Sequence, residues 1–465
     1  MKLTSRKVVF VLLAIVALGI RSKAQVLTNV YSFSNVDGYD PLASLVQGVD
    51  GNFYGTTAFG GAMGFGTAFK VSPTGVLTTL HSFCSPAGCY ADGSYPYGGL
   101  VQAANGYFYG TADEGGAYSA GSVYQISPSG DFKLIYSFCA PLNCYEGEYP
   151  NAGLAIGIDG DLYGATSFSN DGTLFKINSK GKLTILVAFT GANGSTPQAA
   201  MTLGANGMFY GTTEYGGQYP SWGTVYKMTP SGALTTLYSF CSRTSCDDGT
   251  LPLSKVVQAS NGNLYGTTYE GGTHSCGTVF QLTPAGVLTT LHSFTCAADG
   301  MYPNAPLIQA TDGNLYGTAS TGGSDDNGTL FEINRAGQFI LIHEFNGTDG
   351  MGPAGLVQGT DGAIYGSTGG GGSGQYGTIF KLDLGLGPFV SFVQPFGRLG
   401  ETASIIGQGL TGATSVVLNG VPAVFAVVSD TQIQVTVPEG ATTGFVKVTT
   451  PVGILTSNVP FHVIP

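Results

Sequence analysis

The chain has 465 residues, of which 74 are glycine and only 10% are charged. An average soluble protein has roughly 25% charged residues, and disordered segments are poor in aromatics, so 25 Tyr and 27 Phe argue against disorder. Abundant Gly with little Glu, Lys or Arg disfavours helices, and the glycines have no strict period of three as in collagen. We therefore expect an all-β protein that is rich in turns.

Residues 1–24 have the pattern of a secretory signal peptide. Basic residues precede the apolar run 8–20, and Ser22 and Ala24 place small side chains just before a cut at Gln25. A membrane anchor is disfavoured, because roughly 20 apolar residues are needed to span a bilayer. The segment holds five basic residues and no acidic one, so the rest of the chain has a net charge of −16. We expect a secreted or cell-surface monomer with no membrane span after signal removal and no affinity for nucleic acid.

A unit of about fifty residues then recurs seven times. Each copy contains a Tyr-Gly pair that follows an apolar or aromatic residue. The tyrosines are Tyr54, Tyr109, Tyr163, Tyr210, Tyr265, Tyr316 and Tyr365. An Asp-Gly or Asn-Gly dipeptide precedes each of them, as a tight hairpin turn requires. One unit divides into four short strands, which predicts one blade of a β-propeller.

The two ends of the repeat region favour a closed ring over a solenoid. The seventh unit supplies only three strands, and residues 26–33 match the fourth strand of the other units. We therefore predict a seven-bladed β-propeller over residues 25–385, in which this N-terminal strand closes the last blade. The short Asp/Asn-Gly and Pro-x-Gly turns would lie on one face, and the longer, variable loops on the other.

The loop between consecutive units carries the phrase Asp/Glu/Asn-Gly-x-x-Pro in all seven copies. Its first residues are Asp37, Asp92, Glu146, Asn193, Asp248, Asp299 and Asp349. Two interpretations stay open. The phrase is a turn that leads from an outer to an inner strand, or its carboxylates form a ring that binds cations or sugar hydroxyls.

Aromatic and acidic side chains in these loops are the candidate ligand-binding residues. Exposed aromatics suit stacking on sugars or contact with another protein, although packing beneath the loop is an equal alternative. The candidates are Tyr95, Tyr149, Trp222, Tyr302, Glu114, Glu214 and Glu270. The three glutamates are assigned to equivalent repeat positions, which argues for a structural role over a catalytic pair. No catalytic residue, metal or cofactor is predicted.

Cysteine and histidine have mainly structural interpretations. Three cysteine pairs share the spacing Cys-x4-Cys, and with the remaining two they predict disulfides rather than zinc ligands. The cysteines are Cys84, Cys89, Cys139, Cys144, Cys241, Cys246, Cys276 and Cys296. His81, His292 and His343 lie in the fourth strand where other units have Tyr, which also indicates a structural role.

From residue 386 to 465 the repeat is replaced by short β-branched strands and turn dipeptides such as Asn419-Gly420. This pattern predicts a small immunoglobulin-like β-sandwich. The fold class expected for the whole chain is therefore all-β, a seven-bladed β-propeller followed by a β-sandwich.

Both regions resemble known families. The phrase Gly-Leu-Val-Gln…Asp-Gly-Asn-Leu-Tyr-Gly-Thr-Thr…Gly-Thr-Val-Phe resembles the GloVer-type tandem repeat of exported bacterial proteins, and the phrases 406–410, 417–423 and 429–433 resemble an IPT/TIG domain. The first resemblance implies export without a defined activity, and the second implies a spacer or interaction module. We expect a binding or scaffold protein whose partner is a polysaccharide or another envelope protein. The alternatives are a carbohydrate-active enzyme that uses loop carboxylates and a purely structural or adhesive envelope protein.

Overall fold

The computed structural model describes residues 26–84, 88–139, 144–169, 171–219 and 221–464. The predicted signal peptide, 1–24, lies outside this part of the chain. Regular structure within it consists of β-strands and one 3-10 turn at Thr244–Cys246, which confirms the all-β expectation. No helix of the described ranges is long and apolar enough to cross a membrane.

The repeat region forms seven antiparallel sheets of four strands each. Strand β1, Val26–Ser32, precedes the first complete unit and belongs to the seventh sheet. The other strands, in chain order and sheet by sheet, are β2 Val46–Gln47, β3 Phe53–Thr57, β4 Thr67–Val71 and β5 Leu77–Ser82; β6 Val101–Gln102, β7 Phe108–Ala112, β8 Ser122–Ile126 and β9 Phe132–Ser137; β10 Ala155–Ile156, β11 Leu162–Thr166, β12 Thr173–Ile177 and β13 Leu183–Ala188; β14 Thr202–Leu203, β15 Phe209–Thr213, β16 Thr224–Met228 and β17 Leu234–Ser239; β18 Val257–Gln258, β19 Leu264–Thr268, β20 Thr278–Leu282 and β21 Leu288–Ser293; β22 Ile308–Gln309, β23 Leu315–Ala319, β24 Thr329–Ile333 and β25 Phe339–Glu344; β26 Met351–Gln358, β27 Ile364–Gly370 and β28 Thr378–Asp383.

The seventh sheet is built from both ends of the repeat region. Its order is β1-β28-β27-β26, with Val26 opposite Asp383 and Ser32 opposite Thr378. Strand β1 thus takes the outer position that β5, β9 and their counterparts hold in the other sheets.

Hydrophobic clusters lie between consecutive sheets. The second and third strands of each sheet are buried on both faces, and their Phe and Tyr rings contact the next sheet. Tyr54 stacks on Phe108 at a centroid distance of 3.9 Å, and Tyr365 packs on Phe53 at 4.1 Å. The latter contact joins the seventh sheet to the first. We infer that the sheets are blades arranged around a common axis.

The repeated tyrosine closes the short turn of its own sheet. In every copy its hydroxyl is hydrogen-bonded to the Asp or Asn side chain of the preceding turn, at 2.7–3.0 Å. The pair explains why Tyr and Asp/Asn recur together: the ring fills the interface between sheets and the hydroxyl satisfies the turn.

The C-terminal region forms a sandwich of two four-stranded sheets, β29-β31-β35-β34 and β33-β32-β36-β37, with a parallel pair, β30-β38. Their bounds are β29 Ser391–Phe392, β30 Phe396–Arg398, β31 Thr402–Ile406, β32 Ser415–Leu418, β33 Val421–Pro422, β34 Phe425–Ser429, β35 Gln432–Thr436, β36 Val446–Thr450, β37 Gly453–Thr456 and β38 His462–Ile464. Aliphatic residues such as Ile405, Ile433 and Val446 fill the space between the sheets.

The sandwich packs on the face of the ring that carries the Asp/Asn-Gly turns. The Thr431 hydroxyl donates to the carbonyl of Val49 at 2.7 Å, and Phe396 packs against the cluster between the second and third sheets. A cavity of about 550 Å³ between the two domains is lined by Ile158 and Asp159 on the ring side. The opposite face, with the variable loops, is therefore not covered by this contact.

Candidate binding site at the axis of the ring

The phrase between consecutive sheets is a structural turn. Its first residue pairs with the outer strand: Tyr31 donates to Asp37 at 2.5 Å, Tyr238 to Asp248 at 2.6 Å, and His343 lies 2.8 Å from Asp349. The second residue, Gly38 in the first copy, has φ +143°, and an added Cβ would lie 2.5 Å from Thr57. These contacts favour the turn interpretation over the ring of ligand-binding carboxylates.

The fourth copy of the phrase, which follows the third sheet, shows what the pairing requires. Val187 stands in the outer strand where other copies have Tyr or His, and the loop residue is the neutral Asn193. Asn193 still accepts from the backbone N–H of Thr190 at 2.9 Å. The phrase therefore begins with a carboxylate in those copies where the outer strand supplies a Tyr hydroxyl or a His imidazole to bind it. The histidines of the outer strands thus have the structural role that the sequence predicted.

The residue before each proline adopts a left-handed backbone conformation. Tyr95, Tyr149 and Tyr302 have φ values of 56°, 56° and 59°. Their rings pack within the loop layer. The ring centroids of Tyr95 and Phe59 are 5.4 Å apart, those of Tyr149 and Phe168 are 5.5 Å apart, and Tyr302 stacks on Tyr269 with centroids 4.9 Å apart. These three candidates form the wall of the loop face, with their rings held by neighbouring aromatics.

The residue after each proline turns toward the axis instead. A cavity of about 670 Å³ lies there, and residues of six sheets line it. Six of the seven positions after the prolines contribute to the lining: Leu42, Tyr97, Asn151, Gln198, Asn304 and Ala354. Residues from six sheets can meet in one cavity only where their inner strands converge.

Two carboxyl groups stand close to Tyr97 in this region. Burial raises the pKa of Asp40, which lines the cavity, to about 6. Burial and the neighbouring Glu114 raise the pKa of Asp113 to about 6. Burial and the charges of Asp113 and Asp40 raise the pKa of Tyr97. Asp113 Oδ1 and Asn151 Oδ1 are buried without a hydrogen-bond partner among the described residues, so both can accept from a ligand.

The predicted glutamates do not share one repeat position, which corrects the sequence analysis. Glu114 and Glu270 form isolated bridges with Ser94 and Thr250, and in the fourth sheet the residue that makes this bridge is Tyr215. Glu214 instead corresponds to Asp113. The Gln198 amide donates to Glu214, whose pKa is raised by burial.

None of the seven predicted ligand-binding residues is among those that line the axial cavity. Glu214 reaches it through Gln198, and Tyr95 lies beside Tyr97, with ring centroids 6.4 Å apart. Glu114 is exposed and Glu270 half-buried on the loop face, and Trp222, 37% exposed, lies in the loop after β15. Five residues of the lining were not predicted from the sequence: Tyr39, Asp40, Tyr97, Asn151 and Gln198. Three of them, Tyr97, Asn151 and Gln198, directly follow the constant proline of the phrase, where the residue type differs from copy to copy, and this variation was a usable signal.

The eight cysteines form four disulfides, as predicted: Cys84–Cys89, Cys139–Cys144, Cys241–Cys246 and Cys276–Cys296. All lie in the loops of the variable face or at the strand ends beside them. Glu148 is close to the Cys139–Cys144 pair, but sulfurs joined to each other do not offer thiolate ligands to a metal.

The Gloeobacter/Verrucomicrobia repeat family matches residues 19–220 and 200–422, and the IPT/TIG domain matches residues 388–463. No curated protein is similar enough in sequence to match.

Among solved structures, the extracellular domain of a hybrid two component system from B. thetaiotaomicron is similar, with 11% identity and a TM-score of 0.51 over 95% of this chain. The chain spans 55% of that structure's length, and the likeness shows the fold alone. A gluconolactonase from Xanthomonas campestris has 11% identity and a TM-score of 0.39 over 68% of this chain and 89% of its own, which is too low to carry an argument.

Proposed function

Because the chain belongs to the Gloeobacter/Verrucomicrobia repeat family and ends in an IPT/TIG domain, we propose that it is a secreted or surface-associated protein that binds a polysaccharide at the axial cavity. One observation carries this proposal. Six sheets that otherwise repeat the same phrase place five different types of side chain into one cavity. A cavity that only closed the ring would not need the amides of Asn151, Gln198 and Asn304.

The lining suits the chemistry of sugars. Carboxyl and amide groups exchange hydrogen bonds with hydroxyls, and the rings of Tyr39 and Tyr97 offer flat apolar faces for the C–H side of a pyranose. The wall residues Tyr95, Tyr149 and Tyr302, with Trp222 and Glu114 further out, would contact the chain beyond the cavity. Under this proposal the sandwich, on the opposite face, acts as a spacer or attaches to another envelope protein.

The test is retention of the mature protein in native affinity gels that contain single polysaccharides. Tyr97→Ala and Asn151→Ala are expected to reduce retention at least tenfold. Tyr107→Ala is the matched control, because Tyr107 is another solvent-accessible tyrosine but follows an Asn-Gly turn on the short-turn face. Equal retention of the three variants would contradict an axial site, and absence of retention in every gel would contradict polysaccharide binding.

An enzyme that cleaves the polysaccharide is the second candidate, favoured by the raised pKa of Asp113 and Glu214. Assay of released reducing sugar in the same incubations distinguishes the two. Product formation that Asp113→Asn abolishes would replace the binding proposal with a catalytic one.

A further inference from the structure

The inner strands carry a second ring of side chains below the loop layer. In the first six sheets, residues one, three and five after the proline are mostly accessible and the residues between them mostly buried, so alternation along the strand turns them to the axis. In the seventh sheet Ala354 and Gly355 are buried. The third positions are Ser44, Gly99, Gly153, Ala200, Lys255 and Pro306. In the seventh sheet the segment from the proline to Gln358 is one residue shorter, and the equivalent residue is Gly355.

These third positions are close neighbours around the axis. A Cβ added to Gly99 would lie 3.2 Å from the carbonyl oxygen of Ser44, and one added to Gly153 would lie 3.6 Å from Cβ of Ala200. One added to Gly355 would lie 2.7 Å from Cα of Ser44. The ring is narrow here, and six of its seven members have a small side chain or a proline ring.

Lys255 is the exception. It is half-buried, and among the described residues it has no hydrogen bond or ion pair. Burial lowers the pKa of its ammonium group. An unpaired ammonium in such a place opposes folding unless something else compensates it.

The residues around Lys255 indicate from which face of the ring an anion could reach its ammonium group. Pro306, which holds the same position in the adjacent sheet, lines the axial cavity. The next ring toward the short-turn face is largely aliphatic, with Val46, Val101, Val257, Ile308 and Val357. The polar side of this ring is therefore the cavity on the loop face, and Lys255 itself is not among the residues that line that cavity.

We propose that Lys255 is the anion-binding residue at the inner end of the axial cavity, and that the polysaccharide is acidic, with the carboxylate of a terminal uronate bound to this ammonium. The inference rests on the proposed function and specifies its substrate class. A narrow neck admits one sugar end rather than a continuous chain. The amides above it bind hydroxyls, and the lysine below them supplies the charge that distinguishes a uronate from a neutral sugar.

The experiment compares trigalacturonate with its methyl ester, in which each carboxylate is replaced by an uncharged ester with an added methyl group, using calorimetric titration of the mature protein. The wild type is expected to bind the acid at least tenfold more tightly than the ester. Lys255→Met should remove this preference, and Lys255→Arg should retain part of it. Lys227→Met is the matched control and should keep the full preference. Lys227 is another half-buried lysine that forms no ion pair with the described part of the chain, and it lies on β16 away from the cavity.

Each outcome decides the proposal. Equal binding of acid and ester, or a preference that persists in Lys255→Met, would overturn the role of Lys255. The binding function itself would survive that result if neutral polysaccharides are retained in a Tyr97-dependent way. Competition by free galacturonate or acetate as strong as by trigalacturonate would show that the ligand is a small carboxylate and overturn the glycan assignment. Retention of no glycan would overturn both proposals.

Discussion

At the scale of single residues, buried tyrosines fall into two groups: those whose hydroxyl forms a hydrogen bond and those whose hydroxyl has no partner in the described part of the chain. Tyr316 donates to Asp312 at 2.8 Å and contacts Glu332 at 3.2 Å, whereas the hydroxyl of Tyr226 is buried without a partner among the described residues. Tyr316→Phe should lower the free energy of unfolding by about 0.5–1.5 kcal/mol, since a partly buried hydrogen bond is lost while the exposed Asp312 keeps its contact with water. Urea denaturation measures the change. Tyr226→Phe, the control, should be neutral or stabilising, and equal losses in both variants would contradict this assignment.

Asp113 gives a prediction about pH. Burial raises its pKa in the folded protein to about 6 from an unfolded value of 3.8, so the protonated form is favoured by folding. Its contribution to stability is therefore complete below pH about 4 and is lost as the pH rises through about 6. Asp113→Asn should match the wild type at pH 4 and exceed it by about 1–2 kcal/mol at pH 7. Urea denaturation across this range measures the difference, and a difference independent of pH would contradict a buried carboxyl.

At the scale of the structural element, the loop between sheets is closed by a side chain rather than by a ligand. Asp248 is fully buried and accepts from Tyr238 at 2.6 Å and from the Ser242 backbone N–H at 2.9 Å. Asp248→Ala should lower the free energy of unfolding by about 3 kcal/mol or more, because several buried donors lose their acceptor. Asn193→Ala, at the same position in the third sheet, should cost about 1 kcal/mol. Thermal unfolding compares the two, and glycan retention by folded Asp248→Ala should be unchanged.

Much of this element could be predicted from the sequence. The Asp-Gly and Tyr-Gly pairs and the proline have fixed local roles in the backbone, so their recurrence indicated the strands and turns directly. The cavity could not be predicted in the same way, because its lining residues are about fifty positions apart and meet only through the ring. Tyr95 was predicted to bind the ligand, but its positive φ turns its ring into the loop layer, and it is Tyr97 that faces the cavity. Lys255 could not be predicted either, because it differs from the residues at equivalent positions only once the inner strands are aligned by their prolines.

At the scale of the whole molecule, the seventh sheet joins the two ends of the repeat region through β1. Residues 26–33 pair along β28 and place Phe33 in the cluster between the seventh and first sheets. Deletion of residues 26–33 from the mature protein would leave β28 as an unpaired edge and open that cluster. We expect a fall in melting temperature of more than 5 °C and concentration-dependent self-association, measured by calorimetry and light scattering.

The control for that deletion is removal of residues 386–465, which takes away a larger segment but leaves all seven sheets complete. Because the sandwich contacts the short-turn face, the truncated ring should stay monomeric and retain glycan binding at the loop face. If both deletions caused the same self-association, the stability of the ring would depend on the sandwich rather than on β1. If only the loss of β1 did so, pairing of the chain ends would be what holds the loops of six sheets around one cavity.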